Sequence, residues 1–147
     1  MRYIGIDPGK SGAMSIIYED GSTKSIPFNE SDYIYYLSQA KEHECFCALE
    51  KVNSMPHQGL TSTFTFGTNY GWIMGVLEAY GIPFQLIRPQ VWKKAFGVTA
   101  DKNTSIRVAK RLFPNAAMLR TPRSRKDDDN IAESLLLAEH ARRIYKE

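Results

Sequence analysis

Tyr3-Ile4-Gly5-Ile6-Asp7-Pro8-Gly9-Lys10-Ser11-Gly12 is the stretch on which the fold turns. Arg2–Asp7 is a short run of β-branched and aromatic residues and reads as a buried strand. Asp7 closes it. Asp7–Gly12 then reads as a turn, with Pro8 and two glycines supplying its backbone geometry. Ala13–Tyr18 follows as a second strand, Asp20-Gly21 as a hairpin turn, and Thr23–Phe28 as a third strand. The chain therefore opens as a three-stranded antiparallel meander.

Downstream the pattern changes. Asn29-Glu30-Ser31 offers a helix N-cap, and Asp32–Lys41 reads as a helix. Cys45-Phe46-Cys47-Ala48-Leu49-Glu50 is a second apolar run, with Phe46–Glu50 as a strand and Glu50 at its end. The polar segment Val52–Gly59 is a loop directly after Glu50, and Thr61–Tyr80 is a longer helix. Gly67, Gly71 and Gly75 share one face of it. Each glycine costs a helix roughly 1 kcal/mol against alanine, so three on one stripe predict a close approach to another helix or to the sheet. Ile82–Ile87 is a fifth strand. Pro89–Phe96 is a short helix with proline in its first turn. Thr99 or Asp101 caps another helix that runs to about Phe113 and stops at Pro114. Asn115–Lys126 reads as a mobile basic loop, and Asp127 or Asp128 begins the final helix. A meander followed by strand–helix units predicts an α/β fold: a mixed five-stranded sheet flanked by helices, in one domain over residues 1–147.

Composition narrows the class. The chain has 147 residues, 43% hydrophobic and 24% charged, an ordinary globular mix. Its apolar runs are too short to span a bilayer, and no signal peptide opens it, which predicts a cytoplasmic protein with no membrane partner. Cys45 and Cys47 fall on one face of a strand, and with no second Cys/His pair they read as small buried hydrophobes in a reducing compartment. The net charge of +3 hides an asymmetry: residues 1–87 sum to −4 and residues 88–147 to +7. The segment 88–126 holds eleven basic residues and one acid, Asp101. A basic block beside an acid cluster suits a metal-dependent enzyme that works on a polyanion.

The acids are the chemistry. Ligands in such sheets gather at strand ends. Asp7 ends the first strand and Glu50 the fourth, so neighbouring parallel strands would set them side by side. The final helix begins among Asp127, Asp128 and Asp129, and Asp129 and Glu133, four apart, share a helix face. Four clustered carboxylates repel unless cations compensate. Mg²⁺ prefers oxygen ligands and keeps several waters. Two such ions can hold the attacking and leaving oxygens of a phosphodiester.

Taken in order, Gly5-Ile6-Asp7-Pro8-Gly9, Ala48-Leu49-Glu50-Lys51-Val52 and the late acids leading into Ala132-Glu133-Ser134-Leu135-Leu136-Leu137-Ala138 resemble the RuvC-type Holliday junction resolvases, in particular their short phage and prophage members. Gln58-Gly59, Phe66–Gly71 and Pro89-Gln90-Val91-Trp92-Lys93-Lys94 are similar as well, so the resemblance spans nearly the whole chain. It implies an RNase H-like fold, a homodimer, branched DNA and four-way junctions as partners, and Mg²⁺-dependent paired nicking that leaves 5′-phosphate and 3′-hydroxyl ends, in recombination and repair. Two Mg²⁺ ions per site are implied, with Mn²⁺ able to substitute and no nucleotide cofactor. The resemblance makes Asp7, Glu50, Asp129 and Glu133 the catalytic metal ligands, with Asp128 the alternative to Asp129. Lys102 matches a family lysine near the scissile phosphate, and Lys93 or Lys94 is another. Arg120, Arg123, Arg125 and Lys126 extend the DNA-binding set.

One departure is visible. Cellular members of the family carry an aromatic wedge just after the Glu50 position, where this chain has Asn53, with Met55, Pro56 and His57 nearby. Trp92 could stack on a base or pack inside. Three other readings compete: a branched-DNA or flap endonuclease of the same fold, a junction-binding protein without catalysis, and a sugar-kinase-like phosphotransferase. The last needs two domains, which 147 residues do not make.

Overall fold

The apolar run at the N-terminus becomes the centre of a sheet. The structure, a computed structural model, describes residues 1–53 and 56–146. Strands β1 (Arg2–Asp7), β2 (Ala13–Ile17) and β3 (Thr23–Pro27) form the expected antiparallel meander. Strand β4 (Cys45–Glu50) lies parallel to the other edge of β1, and β5 (Phe84–Ile87) parallel to β4, giving the order β3-β2-β1-β4-β5. The fold is the mixed five-stranded α/β sheet that the sequence predicts.

Helices α1 (Glu30–Ala40) and α2 (Leu60–Ala79) cover one face. The Asn29 side chain caps α1 by accepting from the Asp32 amide at 3.0 Å. This layer buries Ile4, Ile6, Met14, Cys47 and Leu49 against Tyr33 and Leu37 of α1 and Ile73 and Leu77 of α2. Both cysteines are free and buried here, and burial pushes the Cys47 thiol well up, so the pair packs as hydrophobes. Helices α3 (Pro89–Phe96), α4 (Lys102–Leu112) and α5 (Asp129–Tyr145) cover the opposite face. Gly97, at φ 67°, ends α3, and Asp101 caps α4 by accepting from the Asn103 amide. No helix among the described residues is long and apolar enough to cross a membrane.

Helix α5 is buried from Ile131 to Ala141 except at Glu133, and it lies directly on backbone. The register aligns Ser25, Ser15, Gly5 and Ala48 in a row across four strands. A Cβ on Gly5 would fall 2.1 Å from the Ala138 nitrogen and 2.3 Å from the Ser134 oxygen. Ser134 donates to the Ile131 carbonyl at 2.7 Å, which leaves it to accept from Ser15 at 2.6 Å. Ser15 pairs in turn with Ser25 at 2.8 Å. Small residues make the trough, and a hydroxyl chain satisfies the polar groups that the helix covers.

Two expectations need correction. Beyond Gly67, Gly71 and Gly75 lies open space, with no heavy atom within 4 Å of an added Cβ. The stripe is an outward side of α2, in line with exposed Leu60 and Phe64, and does not pack on a described element. The segment after α4, read as a free loop, is anchored to the fold at both ends. Met118 is buried, Leu119 bridges Asp127, and the Asp128 amide donates to the Met118 carbonyl at 2.7 Å.

Candidate active site

Side-chain alternation places the first two acids. Asp7 and Glu50 continue the rows of Gly5 and Ala48, so they project on the α5 side at the C-terminal ends of two adjacent parallel strands. Asp7 is only 7% exposed. The turn after it is held from two sides. On one, Asn69 of α2 accepts from the Gly9 amide at 2.8 Å, and Gly9, at φ 113°, leaves room for the Phe66 ring. On the other, Arg120 donates to the carbonyls of Ser11 at 2.8 Å, Gly12 at 3.3 Å and Lys10 at 3.4 Å, and it lies 3.5 Å from Asp128. Arg120, expected to bind DNA, is thus turned toward the protein.

The late acids divide by role. Asp127 pairs with Lys110. Asp128 is the N-cap of α5, accepting from the Ile131 amide at 3.0 Å. Asp129 opens the first turn, 3.7 Å from the Lys102 ammonium, and Glu133 follows one turn later. The final helix therefore begins after Asp127, with Asp128 spent on its cap and Asp129 and Glu133 left to face Asp7.

Their fields overlap. Burial, then the charges of Glu50 and Glu133, hold the Asp7 carboxyl well above the usual carboxylate range, and Asp129 adds to this. Burial and the Glu50 charge push Glu133 up to about 7, against the opposing pull of Lys93. Asp7 and Glu133 come close enough to share a hydrogen bond when one is protonated. With both ionised, Asp7 Oδ2 is buried without a partner. Burial also raises Glu50, opposed by a hydrogen bond from Trp92 Nε1 at 2.7 Å and by Lys93.

This donor set suits a hard cation. It offers oxygens only, with an orphaned buried carboxylate oxygen and mutual repulsion to relieve. Among the described residues, no three Asp, Glu, His or Cys side chains form a ready-made cage. Mg²⁺ requires less than a cage: one or two carboxylates, waters and substrate phosphate oxygens complete its shell.

Around the acids, Lys93 is half-buried and its charge reaches Glu50 and Glu133. Lys94, Lys102, Arg123, Arg125 and Lys126 are exposed. Trp92 is fully buried, which rules out the base-stacking option for its ring. Asn53, Pro56 and His57 are exposed, and Met55 lies outside the described residues. Sequence reasoning missed two supporting groups, the Trp92 N–H on Glu50 and the Asn69 carbonyl on Gly9. The only sequence signal for them is a polar atom on an otherwise apolar helix face.

No protein-family model matches the chain, and no curated protein does. Solved structures do. A structure described as T. thermophilus RuvC in complex with Holliday junction substrate superposes with a TM-score of 0.59 at 12% identity, covering 94% of this chain and 90% of that one. A second Thermus thermophilus RuvC structure gives a TM-score of 0.53 at 15% identity, covering 94% and 91%. The chain has a RuvC-like, RNase H-type fold, as the sequence resemblance implies.

Proposed function

We propose that this chain is a divalent-metal-dependent endonuclease that resolves four-way DNA junctions by paired symmetric nicks. The observation that carries the reading is the partnerless, buried Asp7 Oδ2 in a carboxyl on which the charges of Glu50, Glu133 and Asp129 all act. The RuvC fold supports a junction-resolving nuclease in general, and one of the similar proteins is described with a Holliday junction substrate.

In this reading Asp7, Glu50, Asp129 and Glu133 hold two Mg²⁺ ions. Bound there, the ions would supply positive charge to the attacking and leaving oxygens of the phosphodiester. The protein contributes the rest. Trp92 fixes the Glu50 carboxylate, while Asn69 and Arg120 fix the turn behind Asp7. The sharing of one proton between Asp7 and Glu133 keeps the cluster intact before loading. Lys93 and Lys102 stand beside the acids, where they can meet the non-bridging oxygens of the scissile phosphate. Lys94, Arg123, Arg125 and Lys126 supply exposed positive charge for the flanking backbone. Two nicks related by symmetry require two sites, hence a homodimer.

The test is incubation with a labelled four-way junction, a flap and a duplex, with and without Mg²⁺. Symmetric cuts on the junction that depend on metal and vanish in Asp7→Asn, while that variant still binds, are the expected result. Preferential cutting of the flap would favour the branched-DNA alternative. Binding without cutting by the unaltered chain would favour a non-catalytic junction binder.

A further inference from the structure

Helix α1 carries two tyrosines on its outward side. Tyr35 is 57% exposed and Tyr36 half-buried, and their rings meet edge to face with centroids 5.1 Å apart. Ile34 beside them is exposed. Tyr18, which follows β2, lies in the field of both. The register sets Tyr18 beside Arg2, at the end of β1 opposite Asp7, so this surface begins roughly 17 Å along the strand from the acids.

The chain itself shows what such a surface takes. Arg2 lays its guanidinium over the Tyr18 ring at 5.0 Å and pairs with Glu19 at 3.0 Å. Lys41 lies over Tyr80 at 5.3 Å and pairs with Glu42 at 3.8 Å. Each time a cation sits on a tyrosine with an acid beside it. The Tyr35–Tyr36 pair has the rings and the acid, since exposed Asp32 stands one turn before them on the same helix. Among the described residues, no cation lies over either ring and none pairs with Asp32. Residues 29–44 hold four acids, Glu30, Asp32, Glu42 and Glu44, against one lysine, Lys41. Helices α3 and α4, which lie within the basic half of the chain, cover the other face of the sheet. A polyanion is therefore repelled at α1, and a cationic partner is attracted.

We propose that the outward face of α1 docks an arginine-bearing helix of a partner protein. Two arginines one turn apart on a helix stand about 5–6 Å from each other, which matches the 5.1 Å between the ring centroids. The guanidinium groups lie against Tyr35 and Tyr36, Asp32 pairs with one of them, and Ile34 takes the apolar stems. Arginine suits this surface better than lysine, because its planar group stacks on a ring while its N–H fork still reaches a carboxylate. The inference goes beyond the nuclease reading and stands without it. With α1 on one face of the sheet and the basic helices on the other, the chain can hold nucleic acid and this partner at once.

The probe is an alanine-based helical peptide of about 20 residues with arginines one turn apart on one face, beside lysine and glutamate counterparts. The full chain is titrated with each, and binding is read from the NMR shifts of the Tyr35 and Tyr36 rings. The arginine peptide is expected to bind, the lysine peptide to bind more weakly, and the glutamate peptide to leave the rings unmoved. Tyr35→Ala should weaken the arginine peptide about threefold, the worth of one exposed cation–ring contact. Asp32→Lys should weaken it about tenfold, because an attraction becomes a repulsion. Both side chains are exposed, so the melting temperature and the rate of junction cutting should stay as they are in the unaltered chain. Asp7→Asn and a saturating four-way junction should each leave peptide affinity unchanged. An arginine peptide that does not bind, or that binds Tyr35→Ala and Asp32→Lys as tightly as the unaltered chain, overturns the docking face and leaves the nuclease reading intact. Affinity lost in Asp7→Asn overturns it too, since the peptide then sits on the strand-end acids. A chain that binds the peptide at Tyr35 and cuts no junction keeps the docking face and loses the nuclease.

Discussion

Trp92 Nε1 donates to Glu50 Oε2 at 2.7 Å, from an indole with no exposed surface. The bond ties α3 to the end of β4 and stabilises the ionised form of Glu50. Trp92→Phe removes the donor and keeps most of the packing. A hydrogen bond to a charged group contributes about 1.5–3 kcal/mol, so unfolding should become easier by about 2 kcal/mol. Without the N–H, Glu50 stays protonated to higher pH. The acid limb of the cleavage rate should therefore move to higher pH, with roughly a tenfold loss of rate below it. A pH–rate profile checks this, and an acid limb that stays in place would contradict the role given to Trp92.

The acid cluster makes stability depend on pH and metal together. Glu133 rises from 4.5 to about 7 on folding, and Asp7 rises well above its usual range. Raised carboxyl values mean that the folded chain binds protons more tightly than the unfolded one. The associated stability is complete below about pH 4.5 and is lost as pH rises through about 7. Without metal, the melting temperature should fall over that interval. Added Mg²⁺ should restore it at pH 8 and do little at pH 5, because the ion competes with protons for the same oxygens. Thermal unfolding at the two pH values, with and without Mg²⁺, provides the measurement.

Asp7→Asn should separate activity from stability. It removes one charge from a mutually repelling set and keeps the side-chain shape. Metal-free stability at pH 8 should rise by roughly 0.5–2 kcal/mol, within the range found when an active-site conflict is relieved, while cleavage disappears. A destabilised Asp7→Asn would show that Asp7 serves the fold before the site.

Arg120 and its neighbours should behave differently despite equal charge. Arg120 spans three carbonyls of the Lys10–Gly12 turn and Asp128, whereas Arg123 and Arg125 are exposed. Arg120→Ala should lower stability by about 2 kcal/mol, the cost of hydrogen bonds to a charged group. It should also raise the Mg²⁺ concentration needed for half-maximal cleavage and leave the salt dependence of DNA binding intact. Arg123→Ala and Arg125→Ala should each cut that salt dependence and leave the melting temperature unchanged. The converse pattern would put Arg120 on the DNA.

Much of this architecture is legible in the linear chain because strand periodicity and turn residues are local signals. Arg2–Asp7, the Asn29 cap and the proline that starts α3 stand in the structure where the sequence puts them. Asp7 and Glu50 are legible as strand-terminal acids, and the parallel pairing of their strands places them on one face. What is not legible depends on register or on the far side of a contact. The row Ser25–Ser15–Gly5–Ala48 runs across four strands, so no stretch of sequence contains it. Trp92 sits beside two lysines and has the neighbourhood of a surface residue, yet its ring is enclosed. Gly67, Gly71 and Gly75 carry a packing pattern, yet nothing among the described residues packs there. Arg120 belongs by composition to a basic run and by geometry to the turn behind Asp7.

The contact at Gly5 sets a further test. Its missing Cβ would overlap backbone atoms of α5 at 2.1 Å and 2.3 Å, which no rotamer change relieves. Gly5→Ala should cost at least about 3 kcal/mol, the upper end for overpacked cores, and should abolish cleavage in any protein that still folds. Gly21→Ala supplies the comparison: its added carbon meets nothing within 4 Å, and its φ of 85° costs a side chain about 1–2 kcal/mol.

Because α5 rests on the main chain of β1, the gap between the early and late acids is gauged by atoms that every amino acid shares. A substitution elsewhere in the layer can be absorbed by a neighbouring side chain, but one at Gly5 has only main chain to push against. The reach of the late acids toward the early ones therefore hangs on a hydrogen atom.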